Sequence, residues 1–425
     1  MKKMTLVSAA ALGCLATSAM AQDSTATSVT LYGIADAGIN HVTGLKQGSV
    51  TQLASGIMEG SRWGLKGNED LGGGYKAIFT LESRVELDTG SVSNTTASGS
   101  QLPDRVSFAT QMGLVSANPI LQATYQNLVS AAGAGIGAKL GVNHIEKNLF
   151  DRQAYVGLIT PVGAITAGRQ YTPGYLAAAT FDSMHTESSL ALGQLVAVPA
   201  SFNIRVSNSL QYGIKAGGFT ATAMYAAAEG SAITGRLLGA MATFKGDGYS
   251  VGGGYNTQKN ELGQKSLTNG ILGASVDIGP GILGLMAATI KDDHPSGLSA
   301  IAPALVAGGA PASLAGQVQN AFINGFKQDS TLFHIGYRVT MGANTVTVAY
   351  NTMNDKTAAN ADRDSYGVAY SYALSKRTDL NAVMTRFNNK NTSQLAPGGN
   401  GFLGGVTRAA GVDSTNVAFG IRHRF

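Results

Sequence analysis

From Ser414 to Phe425 the chain reads S-T-N-V-A-F-G-I-R-H-R-F. Taken two at a time, Val417, Phe419, Ile421 and Phe425 fall on one side, and Asn416, Ala418, Gly420, Arg422 and Arg424 on the other. Side chains alternate faces along a strand, so this segment is a strand with one apolar and one polar face, and the beat continues to the last residue. Ser28–Asn40 repeats it: Val29, Leu31, Ala35, Ala37 and Ile39 oppose Thr30, Tyr32, Ile34, Asp36 and Asn40. Such strands at both ends of one chain predict that the last pairs with the first, closing a sheet into a barrel with no open edge.

Composition says what solvent this barrel meets. The chain opens M-K-K, continues with an uncharged apolar stretch and reaches Ala19-Met20-Ala21. A basic start, a short apolar middle and an A-x-A site predict an export leader over residues 1–21. The single cysteine, Cys14, lies within that leader, so no disulfide or cysteine metal site is expected beyond it. Charged residues are 13% of the chain, about half the usual share of roughly 25%. So little charge predicts that much of the surface is hidden from water. Past the leader, though, no uninterrupted apolar run reaches the roughly 18 residues a spanning helix needs. Export, low charge, 56 glycines and no spanning helix together predict an all-β, transmembrane barrel over residues 22–425. The formal charge of +5 includes Lys2 and Lys3, leaving too small an excess to imply nucleic-acid binding.

Between the two end strands, alternating runs come in pairs joined by glycine-rich turns: Ser61–Gly67 with Tyr75–Arg84, Arg152–Ile159 with Ala164–Tyr171, Arg205–Gly213 with Phe219–Ala226. Four more pairs follow, the clearest strand being Ser365–Ser375. The count is sixteen antiparallel strands, with seven short and eight longer connections in strict alternation. Segregated loop lengths and strands of about ten residues mark an outer-membrane barrel, with short periplasmic turns and long extracellular loops. Leu45–Ile57 reads as a polar, flexible loop. Residues 112–142 and 298–316 are too apolar for ordinary loops, and a helix, a cap over the mouth or a subunit contact would each account for them.

Solvent assigns the faces. Trp63, Tyr75, Phe79, Phe333, Tyr337, Tyr366, Tyr370 and Phe425 are expected towards lipid, and the alternating polar side chains inside. Sixteen strands enclose more space than side chains fill, so the lumen should hold water and the chain should act as a channel. Arg62, Arg152 and Arg205 fall on the polar face near the long-loop ends of their strands, with Lys66, Lys76 and Arg84 on the same side and Glu82 beside Arg84. The loop after Arg169 carries Asp182 and Glu187 among small residues. Folded inward, it would set carboxylates against guanidiniums across a narrowed water path and so select by charge.

These pieces resemble the general diffusion porins of the Gram-negative outer membrane. The resemblance rests on Ser28–Gly33, Ser61–Gly67 with Glu69–Gly74, Leu81-Glu82-Ser83, the run from Asp151 to Leu158, the run from Gly168 to Pro173, Arg205–Tyr212 and the terminal Phe425. It implies a trimer of sixteen-stranded barrels, each with its third loop folded into the pore. It also implies a basic constriction wall of Arg62, Arg152 and Arg205, with Asp182 and Glu187 on the acidic side, and Phe425 as the residue read by the barrel-insertion machinery; strand parity adds Arg84 to the basic wall and Glu82 to the acidic side. The third loop lacks a Pro-Glu-Phe-like acidic tip, and Ile34 stands where some members carry a lysine. Arg169 could line the pore mouth or meet a neighbouring subunit.

Other chemistry finds little support. Gly133–Gly137 follows no parallel strand, the six histidines lack metal-ligand spacing, the sequons at Asn94 and Asn391 have no evident use in a bacterial outer membrane, and no G-x-S-x-G stands in a nucleophile context. The sequence therefore predicts no enzyme, no cofactor and no metal. It predicts a passive, weakly anion-selective channel for small hydrophilic solutes and ions, set in outer-membrane lipid. The alternatives are a substrate-specific channel and a surface adhesin or structural barrel.

Overall fold

The computed structural model describes residues 27–92, 102–137, 148–196, 202–231, 234–400 and 404–425. The expected leader with Cys14, and also Asn94 and His144, lie outside the described residues.

Sixteen long strands form the wall: β1 (Ser28–Leu45), β3 (Arg62–Gly72), β4 (Tyr75–Arg84), β5 (Gln153–Thr160), β6 (Gly163–Tyr171), β7 (Arg205–Ala216), β8 (Phe219–Ala226), β9 (Thr234–Lys245), β10 (Tyr249–Asn260), β11 (Lys265–Ile278), β12 (Gly281–Asp292), β13 (Gln328–Met341), β14 (Asn344–Asp355), β15 (Arg363–Ala373), β16 (Thr378–Asn389) and β19 (Ser414–Arg424). Each pairs antiparallel with its neighbours, and two short strands in the last connection, β17 (Leu395–Ala396) and β18 (Gly405–Val406), pair with each other. The seam is β1 on β19, running from Ile34 opposite Arg424 to Val42 opposite Asn416. Beyond it, Gly33 and Phe425 exchange both backbone hydrogen bonds at 3.1 Å. The alternation at the two ends of the chain thus closes the barrel as expected.

The faces also separate as expected. Phe333, Tyr366, Tyr370, Tyr75 and Phe425 are exposed on the outside, with Val29, Leu31, Leu272 and Phe419 in the same outer rows. Moving each such side chain from water into hydrocarbon is favourable by about 1.5–3 kcal/mol, and many repeats of that gain drive insertion.

One expectation is corrected, and two others are made specific. Leu45–Ile57 is not a flexible loop: Gly48–Ser55 forms β2, which folds back onto the outer half of β1 while β3 takes the inner half. Loop lengths alternate as expected, though the contrast nearly vanishes where β10 and β11 run on until only Glu261–Gln264 separates them. The apolar loops, left open above, are helices: Pro119–Gly137, Ile301–Ala307 and Ala312–Phe326. They share one core in which Val106, Val129, Val318 and Phe322 are fully buried, forming a helical layer at the long-loop end. Gly133–Gly137 is simply the end of the first of these helices.

A latch follows β2. The buried Asp36 carboxylate accepts N–H bonds from Ile57 (2.9 Å), Met58 (3.0 Å) and Glu59 (2.8 Å), bending the chain inward before Arg62. Removing that acceptor strands three buried donors, so Asp36→Ala should cost about 3 kcal/mol or more. A denaturant midpoint equal to wild type would show that the latch contributes nothing.

Candidate functional site

The connection between β6 and β7 shapes the interior. Its helix, Pro173–Phe181, begins with proline in the first turn, and Thr172 Oγ1 accepts the Tyr175 N–H (3.3 Å) as N-cap. The helix lies against the inner wall of β9–β12, with Asn256 of β10 accepting the Gly174 N–H (3.0 Å). Phe181, Leu192 and Leu195 pack on inward-facing Ile271, Met286, Ile290 and Leu332. The expectation of a polar lining therefore fails on β11–β13, where a loop and not water covers the wall. Gly273 leaves the space that the Phe181 ring fills, and Gly284 and Gly336 do the same for Ser183.

A buried histidine fastens the far end of the helix. His334 Nε2 accepts the Ser183 N–H (3.0 Å), so the ring proton sits on Nδ1 and is donated to Asn351 Oδ1 (2.6 Å). Asn351 in turn donates to Leu190 O (2.9 Å), and Ser189 reaches Asn416 Oδ1 (2.9 Å). The loop is thereby tied across the barrel from β10 to β19.

Facing it is a chain of charges that steps from strand to strand. Arg205 Nη2 donates to Tyr171 Oη (2.7 Å) and its guanidinium lies 4.3 Å from that ring's centre. Arg152 Nη2 donates to the same oxygen (3.2 Å), while its Nε donates to Glu82 Oε1 (2.7 Å). Arg62 Nε is 3.8 Å from Glu82 Oε2, and its Nη2 lies 2.5 Å from Glu59 Oε1. Glu59 Oε2 meets Arg422 (2.9 Å) and Arg424 (3.1 Å), and both arginines also pair with Asp379. Burial alone would raise the Glu59 carboxyl, but Arg62, Arg422 and Arg424 outweigh it and hold the group down at about 2. Tyr175, stacked on Tyr171 with ring centres 5.2 Å apart, is pushed up to about 12 by burial and then by its tyrosine neighbour.

The expected site residues are distributed as follows. Arg62, Arg84, Arg152, Arg205, Asp182 and Glu187 border one space, together with Glu59, Tyr171 and Tyr175. Glu82 does not stand across from the arginines: it sits among them, neutralising Arg152 and approaching Arg62. Arg84 is buried against Glu86. Asp182 turns its oxygens to the Met184 and Thr186 N–H groups, 3.8 Å from His334. Glu187 pairs with Arg422 (3.2 Å). Arg169 is turned away from this space and binds Asp151 O (2.6 Å) and Ser207 Oγ (3.0 Å). Sequence reasoning missed Glu59, Asp379, Tyr171 and Tyr175. It placed Arg422 and Arg424 on the polar face, the one signal available, without giving them a role.

Arg205 differs from its neighbours. Among the described residues it takes part in no ion pair with a carboxylate, and its Nε has no hydrogen-bond partner. Its charge is therefore the one on this wall that an entering anion can use.

Residues 7–392 match a family model described as Gram-negative porin. The chain is 30% identical over 259 residues to an outer membrane porin protein of Bordetella pertussis, covering 48% of this chain and 65% of that one. It is 40% identical over 139 residues to outer membrane porin protein 32 of Delftia acidovorans, covering 31% and 37%. The matched region thus spans less than two thirds of either relative. Among solved structures, an anion-selective porin from Comamonas acidovorans superposes with a TM-score of 0.68 at 24% identity, over 94% of this chain and 100% of that one. The trimer form of an outer membrane protein, OmpT, of Vibrio cholerae superposes with a TM-score of 0.55 at 13% identity, over 94% of this chain and 100% of that one. At these identities the structural likeness speaks for the fold.

Proposed function

Because the chain belongs to the Gram-negative porin family, we propose that it is a passive, water-filled channel of the outer membrane for small hydrophilic solutes and ions, weakly anion-selective and assembled as a homotrimer. Membership places it in the outer membrane. The observation that carries the selectivity is the state of Arg205: its neighbours on the wall are neutralised by Glu82, Glu59 or Glu86, and it is not. Arg62, Arg84, Arg152 and Arg205 form the basic side of the narrowing, while Asp182 and Glu187 belong to the loop that bounds it. Glu82 acts as a strut between arginines. A solute crosses the space that Arg62, Arg152, Arg205, Asp182 and Glu187 border, and the excess positive charge raises the local concentration of anions. Phe425, its backbone locked to Gly33, serves as the residue the insertion machinery reads.

The test is the purified protein in a planar bilayer. Conductance should scale with salt, and a salt gradient should give a zero-current potential of the sign expected for anion preference. Silent membranes would leave the adhesin or structural barrel as the better reading. The helical layer favours a second reading, a channel selective for one solute class, since loops built as helices offer fixed side chains at the mouth. Saturable block by one solute class would identify that reading.

A further inference from the structure

Where the long connections meet, two arginines line a recess that plays no part in the constriction. Arg105 lies on the single helical turn Asp104–Val106, in the connection from β4 to β5. Arg363 opens β15, and the last connection closes the recess with Ser393 and Gln394. Two guanidiniums and no carboxylate line it. Arg363 is buried and Arg105 half-buried, so both charges are drawn away from water. Charges so placed call for an opposite charge.

The protein's own groups do not supply one to Arg105. Its Nη1 donates to Gly325 O (2.8 Å), and among the described residues it takes part in no ion pair. Arg363 Nε donates to Leu195 O (2.5 Å), and its Nη1 reaches Ser393 Oγ (3.5 Å). Each of these acceptors is neutral. The carboxylates nearby are engaged elsewhere. Asp104 takes the Lys46 ammonium (2.9 Å) and the Gln394 amide (2.9 Å). Asp355 accepts the Thr357 and Ala361 N–H groups (both 2.9 Å), and Asp362 accepts the Asp355 N–H (2.7 Å). The recess is open to solvent and has room for about one water-sized sphere. A monatomic anion suits that room, and a tetrahedral oxyanion does not.

We propose that this recess binds one halide ion, chloride under ordinary salt, held between the Arg105 and Arg363 guanidiniums. Charge-assisted hydrogen bonds to the ion would tie the β4–β5 connection to the start of β15. Arg363 already grips the β6–β7 connection at Leu195, so the same ion couples the helical layer outside to the loop inside. The site shares no lining residue with the space that Arg205 borders, and it does not depend on which ions the channel prefers.

Crystals of wild type, R105Q and R105K, grown with bromide in place of chloride, allow anomalous scattering to locate the ion. Wild type should show a bromide peak between Arg105 and Arg363. R105Q should lose it, and R105K, which keeps the charge, should retain it. In solution, amide exchange over Asp104–Phe108 is followed along a bromide titration, with gluconate holding ionic strength constant. Bromide at roughly ten times its dissociation constant should slow wild-type exchange there about tenfold and leave R105Q unchanged. A wild-type recess without bromide, or an equal peak in R105Q, would overturn the proposal. So would a peak without slower exchange, the mark of an adventitious ion only.

Discussion

Arg205→Ala is expected to shift the zero-current potential in a salt gradient towards cation preference, with little loss of stability. A unit charge about 4 Å from a permeating anion is worth about 1 kcal/mol in water, or roughly a fivefold change in anion occupancy. Arg205→Glu should take the channel further and make it cation-preferring, while Arg205→Lys should stay close to wild type. Arg205 is the cleaner choice because no carboxylate is paired directly with it. Arg152→Ala would instead leave Glu82 buried with only the longer Arg62 contact and Tyr32, a loss of about 3–5 kcal/mol that confounds any change in selectivity. Should Arg205→Glu conduct with an unaltered potential, the basic wall would not be the filter.

The second large effect is steric. A side chain at Gly273 would enter the volume of the Phe181 ring. The wall cannot retreat, because β11 is held by continuous ladders to β10 and β12. The helix Pro173–Phe181 must move instead, and the only open direction is towards the arginines. Gly273→Val is therefore expected to lower single-channel conductance and the size limit for neutral solutes, at an overpacking cost of about 1–3 kcal/mol. Gly270→Ala, on the outer side of the same strand, is the matched control. Conductance equal to or above wild type in Gly273→Val would show that the loop does not set the narrowing.

These contrasts explain how far the sequence could be read. The two-residue beat was plain on β1, β15 and β19, where lipid takes one face and polar groups the other, and it sufficed for strand count and closure. It blurred on β11–β13 because Ile271, Met286 and Leu332 are apolar on the inside as well, covered by a loop some hundred residues away in the chain. The arginines were legible individually, since strand parity fixes their side of the wall. Their partners were not. Glu59 reaches Arg62, Arg422 and Arg424 only because Asp36 bends the chain inward, and Glu82 reaches Arg152 through pairing between β4 and β5. Parity gives the side a residue faces; it does not give what it meets there.

The seam between β1 and β19 joins residue 34 to residue 424, the most distant strand pairing among the described residues. Loop closure over such a separation is entropically the costliest step of assembly, and nothing local can prepare for it. A chain still being delivered to the membrane must wait as a curved sheet with two raw margins, each able to recruit a foreign strand. The exchange of bonds between Gly33 and Phe425 covers the last stretch of both margins, so the finished wall offers neither to a foreign strand.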